Sequence, residues 1–99
     1  MPAFRNLLSL ESQLIRSRRN KSSEHTLVKV RCLLVLSLMP RKQPTAAIEK
    51  YQLALKSKSA EMDARLIETG GRLAAWFQQH GDTENRDMIL EWVEKRKEN

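Results

Sequence analysis

Apolar side chains recur every three to four residues along most of this chain, and few glycines or prolines interrupt them. The first segment places five of them on one side of a helical wheel: Phe4, Leu7, Leu8, Leu14 and Ile15. Three Gly and three Pro in 99 residues do not fit a turn-rich β-sandwich or a disordered chain. Because this length allows one hydrophobic core, we expect a single all-α domain over residues 1–99.

Capping residues and breakers predict where the helices end. We expect a small bundle of four to five helices, at about residues 3–19, 23–39, 45–69, 72–80 and 84–97. Pro40 must end the second helix, and the segment from Pro40 to Pro44 is predicted to be an extended linker. Gly70 and Gly71 would cost roughly 2 kcal/mol relative to alanine inside a helix, so we expect a break there. A helix that continues through residue 80 is the alternative.

The second predicted helix is apolar on nearly all sides, with Leu27, Val28, Val30, Leu34, Val35 and Leu38. Such a helix belongs at the centre of a bundle or in a subunit interface. We therefore expect a homodimer that buries this helix. Its β-branched residues leave an alternative open, in which residues 26–36 form a strand with Lys29 and Arg31 on its outward side.

Positive charge is concentrated in the amino-terminal half of the chain. Residues 1–50 carry ten Lys and Arg against three acids, whereas residues 51–99 carry eight against nine. The formal net charge is +6, with a sequence pI of about 9.9. This distribution favours a polyanionic partner that meets the basic half, while the near-neutral half completes the core or assembles subunits.

One face of the first helix carries the strongest functional signal. Arg5, Ser9, Ser12, Arg16 and Arg19 follow the spacing 4, 3, 4, 3 and therefore align on one side. Arginines donate forked hydrogen bonds to phosphate oxygens, and serine hydroxyls add neutral donors, so this mixture suits a sugar-phosphate backbone. Further cations that we assign to the same site are Lys21, Arg41 and Lys42. The only acid of this helix, Glu11, is expected on its apolar side.

Catalytic and metal-binding patterns are not found in the sequence. Cys32, His25 and His80 form no recognisable constellation of nucleophile, base and orienting group. His80 and Asp82 lack a nearby second pair of metal ligands, and a turn explains them better. We therefore expect no enzyme activity, no metal and no cofactor.

A single cysteine allows no internal disulfide, and no apolar stretch resembles a signal peptide or a membrane span. We accordingly expect a protein of the cytoplasm, or of the nucleus if the source is eukaryotic, that is neither secreted nor inserted in a membrane.

Two functional hypotheses follow. The first is a non-catalytic protein that binds the phosphates of duplex RNA or DNA. Some viral and phage accessory proteins act in this way, and we use them only as an analogy. A duplex is favoured over single strands because aromatic stacking platforms are scarce in the basic half. The alternative is a helical interaction module, an inhibitor or assembly adaptor, that binds an acidic or amphipathic segment of another protein. Such a module should leave exposed some of Leu33, Leu36, Trp76 and Trp92.

Overall fold

The computed structural model describes residues 4–17 and 21–98, and every regular element in these two stretches is helical. The helices are α1 (Phe4–Ser17), α2 (Lys21–Leu38), α3 (Pro44–Leu55), α4 (Asp63–Gln79) and α5 (Thr83–Glu98), with a short 3-10 helix at Ala60–Met62 directly before α4. The predicted all-α bundle of five helices is confirmed. The strand alternative for residues 26–36 is wrong, because that segment is the middle of α2.

α2 is the central helix and packs against α1, α3 and α4. Leu34 packs in a cluster with Leu7 of α1, whereas Val35 lies in the main core with Tyr51 of α3. A helix that is apolar on all sides needs neighbours on all sides, and here helices of the same chain supply them. Most of the apolar surface of α2 that led us to expect a dimer is therefore covered within the chain, while Leu33 and Leu36 stay half-buried. Dimerisation itself stays a prediction.

The connection between α2 and α3 is a tight turn and not the extended linker that its prolines suggested. The backbone N–H of Lys42 donates to the carbonyl oxygen of Met39 (3.0 Å), and that of Gln43 donates to Leu38 (3.2 Å). Lys42 has a φ of 59°, in the left-handed region, which reverses the chain directly after the last turn of α2. Pro44 then lies in the first turn of α3, where its missing N–H costs no hydrogen bond.

The break between α3 and α4 lies elsewhere than we expected. Gly70 and Gly71 are both inside α4, and the helices are separated at residues 56–59. A Cβ on Gly70 would come within 3.0 Å of the side chains of Tyr51 and Val93. This glycine is thus required by the close approach of α3 and α5 to α4, and the alternative of a helix that continues through both glycines is confirmed for this segment.

Arg96 of α5 holds the segment that separates α3 from α4. Its guanidinium donates to the carbonyl oxygens of Ser57 (2.5 Å) and Ser59 (3.0 Å), and it forms an ion pair with Asp63 (2.6 Å). Arg96 itself is only 8% exposed. Because the buried cation satisfies carbonyls that no helix satisfies, the chain can leave α3 at this point without unpaired polar groups.

Two buried side chains that can lose a proton at high pH, the Tyr51 hydroxyl and the Cys32 thiol, should make the protein less stable there. Burial is the largest cause that raises the pKa of Tyr51 and of Cys32 above the ordinary values of 10.0 and 9.0. The folded chain then holds these protons more tightly than the unfolded chain. We expect these two groups to leave the free energy of unfolding unchanged where both are protonated in the folded and unfolded chains, and to lower it as the pH rises above about 9.

Tyr51→Phe tests this expectation by urea denaturation at neutral and alkaline pH. The variant loses the hydrogen bond from the Tyr51 hydroxyl to the carbonyl oxygen of Leu66 (2.8 Å), which should cost about 1 kcal/mol at neutral pH. Above pH 10 its stability should fall less steeply than that of the natural chain, because one titrating group is gone. Equal slopes for the two proteins would show that Tyr51 does not cause the alkaline loss.

Candidate nucleic-acid interface

The predicted basic face of α1 points away from the core. The described members of that face, Arg5, Ser9, Ser12 and Arg16, are all exposed. Arg5 and Arg16 are eleven residues apart, which separates them by about 16 Å along the helix axis at 1.5 Å per residue. Arg19 lies outside the described residues. Lys21 is described only as the first residue of α2.

Glu11, the only acid of α1, is turned into the bundle as the sequence predicted. It is 5% exposed, and its carboxylate accepts a hydrogen bond from Arg31 Nε of α2 (3.0 Å) and one from Lys50 Nζ of α3 (2.5 Å). The apolar environment of this cluster strengthens each of these interactions. Two cations of the basic half therefore bind an internal carboxylate, which offsets one of their two charges, and the outward face of α1 keeps no negative charge.

The guanidinium groups of Arg5 and Arg16 are not engaged internally. In the stretches 4–17 and 21–98, neither has a carboxylate within ion-pair distance. Both side chains therefore retain their full hydrogen-bonding capacity. Arginine has five donors, which suits it to phosphate oxygens.

The turn after α2 brings further cations to the amino-terminal end of α1. The guanidinium carbon of Arg41 lies 4.2 Å from the centre of the Phe4 ring, a cation–π contact. Arg41 and Lys42 are exposed. Because Phe4 immediately precedes Arg5 in α1, this contact places Arg41 at the end of the helix that carries Arg5. Arg5 and Arg41 were both predicted from the sequence. The contact between Arg41 and the Phe4 ring, which brings the two arginines to the same end of α1, depends on the reversal of the chain at Lys42.

Exposed apolar side chains also concentrate on α1. The large ones among the described residues are Leu8, Leu10, Ile15 and Leu90. The interaction-module hypothesis expects some of four side chains to be uncovered, and all four are half-buried: Leu33, Leu36, Trp76 and Trp92. Trp76 stacks on His80, with ring centres 3.9 Å apart. If the chain self-associates, α1 offers more uncovered apolar surface than α2 does.

The fold also assembles a Ser–His–Glu cluster that the sequence did not suggest. His25 Nε2 lies 2.8 Å from Ser59 Oγ, and His25 Nδ1 lies 3.5 Å from a Glu61 carboxylate oxygen. Next to it, Ser57 Oγ donates to Glu24 (3.2 Å). Glu61 is 67% exposed and beyond close hydrogen-bond distance, so it does not orient the imidazole as the buried acid of a catalytic triad does. We interpret the cluster as a tether between α2 and the α3–α4 connection, and the lack of catalysis stays a prediction.

Metal and membrane features were searched within the described part of the chain. No group of three or more His, Cys, Asp and Glu residues there could hold a metal ion. None of the helices that the structure describes combines the length and the apolar character needed to cross a bilayer.

Comparisons with protein-family models, with curated proteins and with solved structures find no match for this chain. The case for a function therefore depends on the chain's own side chains and their arrangement.

Proposed function

We propose that this chain is a non-catalytic nucleic-acid-binding protein that contacts the phosphates of duplex RNA or DNA. The binding surface is the outward face of α1, with Arg41 and Lys42 at its amino-terminal end, and we assign Arg19 and Lys21 to it from the sequence alone. The observation that carries the proposal is the separation of charge on α1. Arg5 and Arg16 are exposed and free of ion pairs within the described residues, whereas the only acid of the helix is buried and neutralised.

The dimensions of this face suit a duplex backbone. A strip about 16 Å long spans a length of double-stranded DNA that carries roughly nine phosphate charges on its two strands, at one charge per roughly 1.7 Å of helix axis. Ser9 and Ser12 lie between the two arginines and add hydroxyl donors. Contacts of this kind position a protein on a duplex without reading its sequence.

The aromatic side chains support a duplex over a single strand. Tyr51 and Phe77 are buried, and Trp76 and Trp92 pack on rings of the same chain. Phe4 is covered on one side by Arg41. Because recognition of single strands depends on aromatic faces that are open to bases, these described residues offer a poor platform for it.

Binding should depend strongly on salt and on the α1 arginines. With roughly four to seven phosphates neutralised, log affinity should fall against log salt concentration with a slope of about −3.5 to −6. In the double variant Arg5→Glu/Arg16→Glu, affinity should fall by about tenfold or more and the slope should become shallower by about 2. The measurement is fluorescence anisotropy with labelled duplex RNA, duplex DNA and single strands, each titrated at several salt concentrations.

The matched control is Lys29→Glu/Arg65→Glu, which changes the net charge equally at one cation of α2 and one of α4. Both of its cations are exposed and have no ion pair within the described residues. If both double variants lose affinity equally, net charge and not the face of α1 drives binding. The proposal is wrong if affinity is independent of salt or if no duplex binds at low salt.

A further inference from the structure

A second surface lies on another side of α2, in the groove between α2 and α4. Its volume is about 510 Å³, and Lys29, Leu33 and Leu36 line one wall. Arg65 and Arg72 line the other wall, with Cys32 and Thr69 among the remaining lining residues. Leu33 and Leu36 are half-buried, while the charged side chains along the rim are exposed. The groove therefore has apolar surface inside and charges at its edges.

The two walls run in the same direction. His25 of α2 contacts Ser59 and Glu61 before α4, and seven residues further along α2 the Cys32 thiol shares a hydrogen bond with Thr69 of α4. Lys29, Leu33 and Leu36 recur at i, i+4 and i+7, so they form one stripe of about 10 Å at 1.5 Å per residue. Such a stripe, faced by a parallel stripe on α4, matches the anchor spacing of a helix lying in a groove.

The rim of the groove carries an excess of positive charge. Glu68 already pairs with Arg72 (3.1 Å), and Glu61 faces His25 (3.5 Å). Lys29 on one wall and Arg65 on the other have no ion pair within the described residues. An occupant thus meets two cations without an ion pair, Lys29 and Arg65, and one exposed carboxylate, Glu61, across an apolar floor, and the charged side chains of the rim sum to +1.

We propose that this groove binds a short amphipathic helix of a partner protein whose flanks are acidic. The apolar side chains of that helix would pack on Leu33 and Leu36, and its carboxylates would reach Lys29 and Arg65. A length of two to three turns fills the groove. Charge complementarity decides the choice of occupant, because a rim of net positive charge attracts carboxylates and repels a basic helix. This surface is separate from the arginine face of α1 and does not depend on the nucleic-acid proposal.

The test is a phage-display selection from a library of helical peptides of about 15 residues in which all side-chain positions are randomised. Selection on the full chain should enrich peptides with net negative charge and apolar residues at i, i+3 or i+4, and i+7. Titration of the best enriched peptide should show that Lys29→Glu/Arg65→Glu weakens its binding by about tenfold or more. Arg5→Glu/Arg16→Glu has the same net charge and should leave peptide affinity within about threefold of the natural chain.

Several results would overturn the proposal. One is a selection that enriches no peptide, or only neutral and basic ones. Another is an enriched peptide that binds both double variants with equal affinity, because its site would then lie outside the groove. A third is a duplex whose affinity depends on Lys29 and Arg65 as strongly as on the α1 arginines, which would make the groove part of a nucleic-acid surface. Loss of duplex binding alone leaves the groove proposal intact, so the two proposals fail separately.

Discussion

Gly70→Ala is expected to destabilise the protein by about 3 kcal/mol or more, the cost of overpacking a core that cannot relax. The added Cβ would lie within 3.0 Å of Tyr51 and of Val93, on two different helices. Tyr51 cannot move freely, because it is fully buried and its hydroxyl is bonded to the Leu66 carbonyl. Thermal and urea denaturation of the purified variant measure the loss.

Gly71→Ala is the matched control, one residue further along the same helix. Nothing lies within 4 Å of a Cβ at this position. Alanine should stabilise the protein here by about 0.5 to 1 kcal/mol, because it restricts the unfolded chain and favours the helix. Equal effects of the two substitutions would mean that the close approach of α3 and α5 to Gly70 is not as described.

Glu11→Met is expected to cost about 3 to 5 kcal/mol, because it leaves the charge of Arg31 buried without a partner. Arg31 is 8% exposed and therefore cannot recover its hydration without moving α1 or α2. Lys50, the other partner of Glu11, is more exposed and can turn toward water. Methionine keeps the volume of the side chain, so denaturation measurements on this variant report mainly the lost charge.

The double variant Glu11→Met/Arg31→Met separates charge from packing. It removes both buried charges and should be more stable than Glu11→Met alone, since well-packed apolar side chains can replace a buried ion pair at little cost. Glu49→Met changes an exposed acid and should stay within about 0.5 kcal/mol of the natural chain. A loss below about 1 kcal/mol in Glu11→Met would show that Arg31 finds another partner or reaches solvent.

Local signals predicted the helical elements well where they act within one helix or one turn. Pro40 ends α2 close to the expected residue, and Gly81, with a φ of 75°, ends the segment after α4. Asp82, directly before α5, accepts a hydrogen bond from the backbone N–H of Asn85 (3.1 Å), the local contact of a helix cap. The exposure of the α1 arginines likewise follows from the helical spacing of its apolar residues.

Where contacts between residues that are distant in sequence decide the structure, the sequence pattern predicted the wrong feature or made no prediction. Two adjacent glycines indicated a break, but their role depends on how Tyr51 and Val93 approach from other helices. The true break depends on Arg96, more than thirty residues away from the carbonyls that it binds. No spacing rule connects residues so far apart, because only the packed helices bring them together.

The sequence by itself thus determines the helices, their amphipathic faces and the distribution of charge along the chain. The helices and their faces follow from neighbours three or four positions away. Which cations remain available is a tertiary result. Arg31 and Lys50 bind the Glu11 carboxylate, Arg96 is buried against the α3–α4 connection, and Arg5, Arg16, Lys29 and Arg65 are exposed with no ion pair in the stretches 4–17 and 21–98. The physical reason is that a charged side chain needs a partner within the protein only where burial has removed its hydration. Which side chains are buried depends on how all five helices pack together.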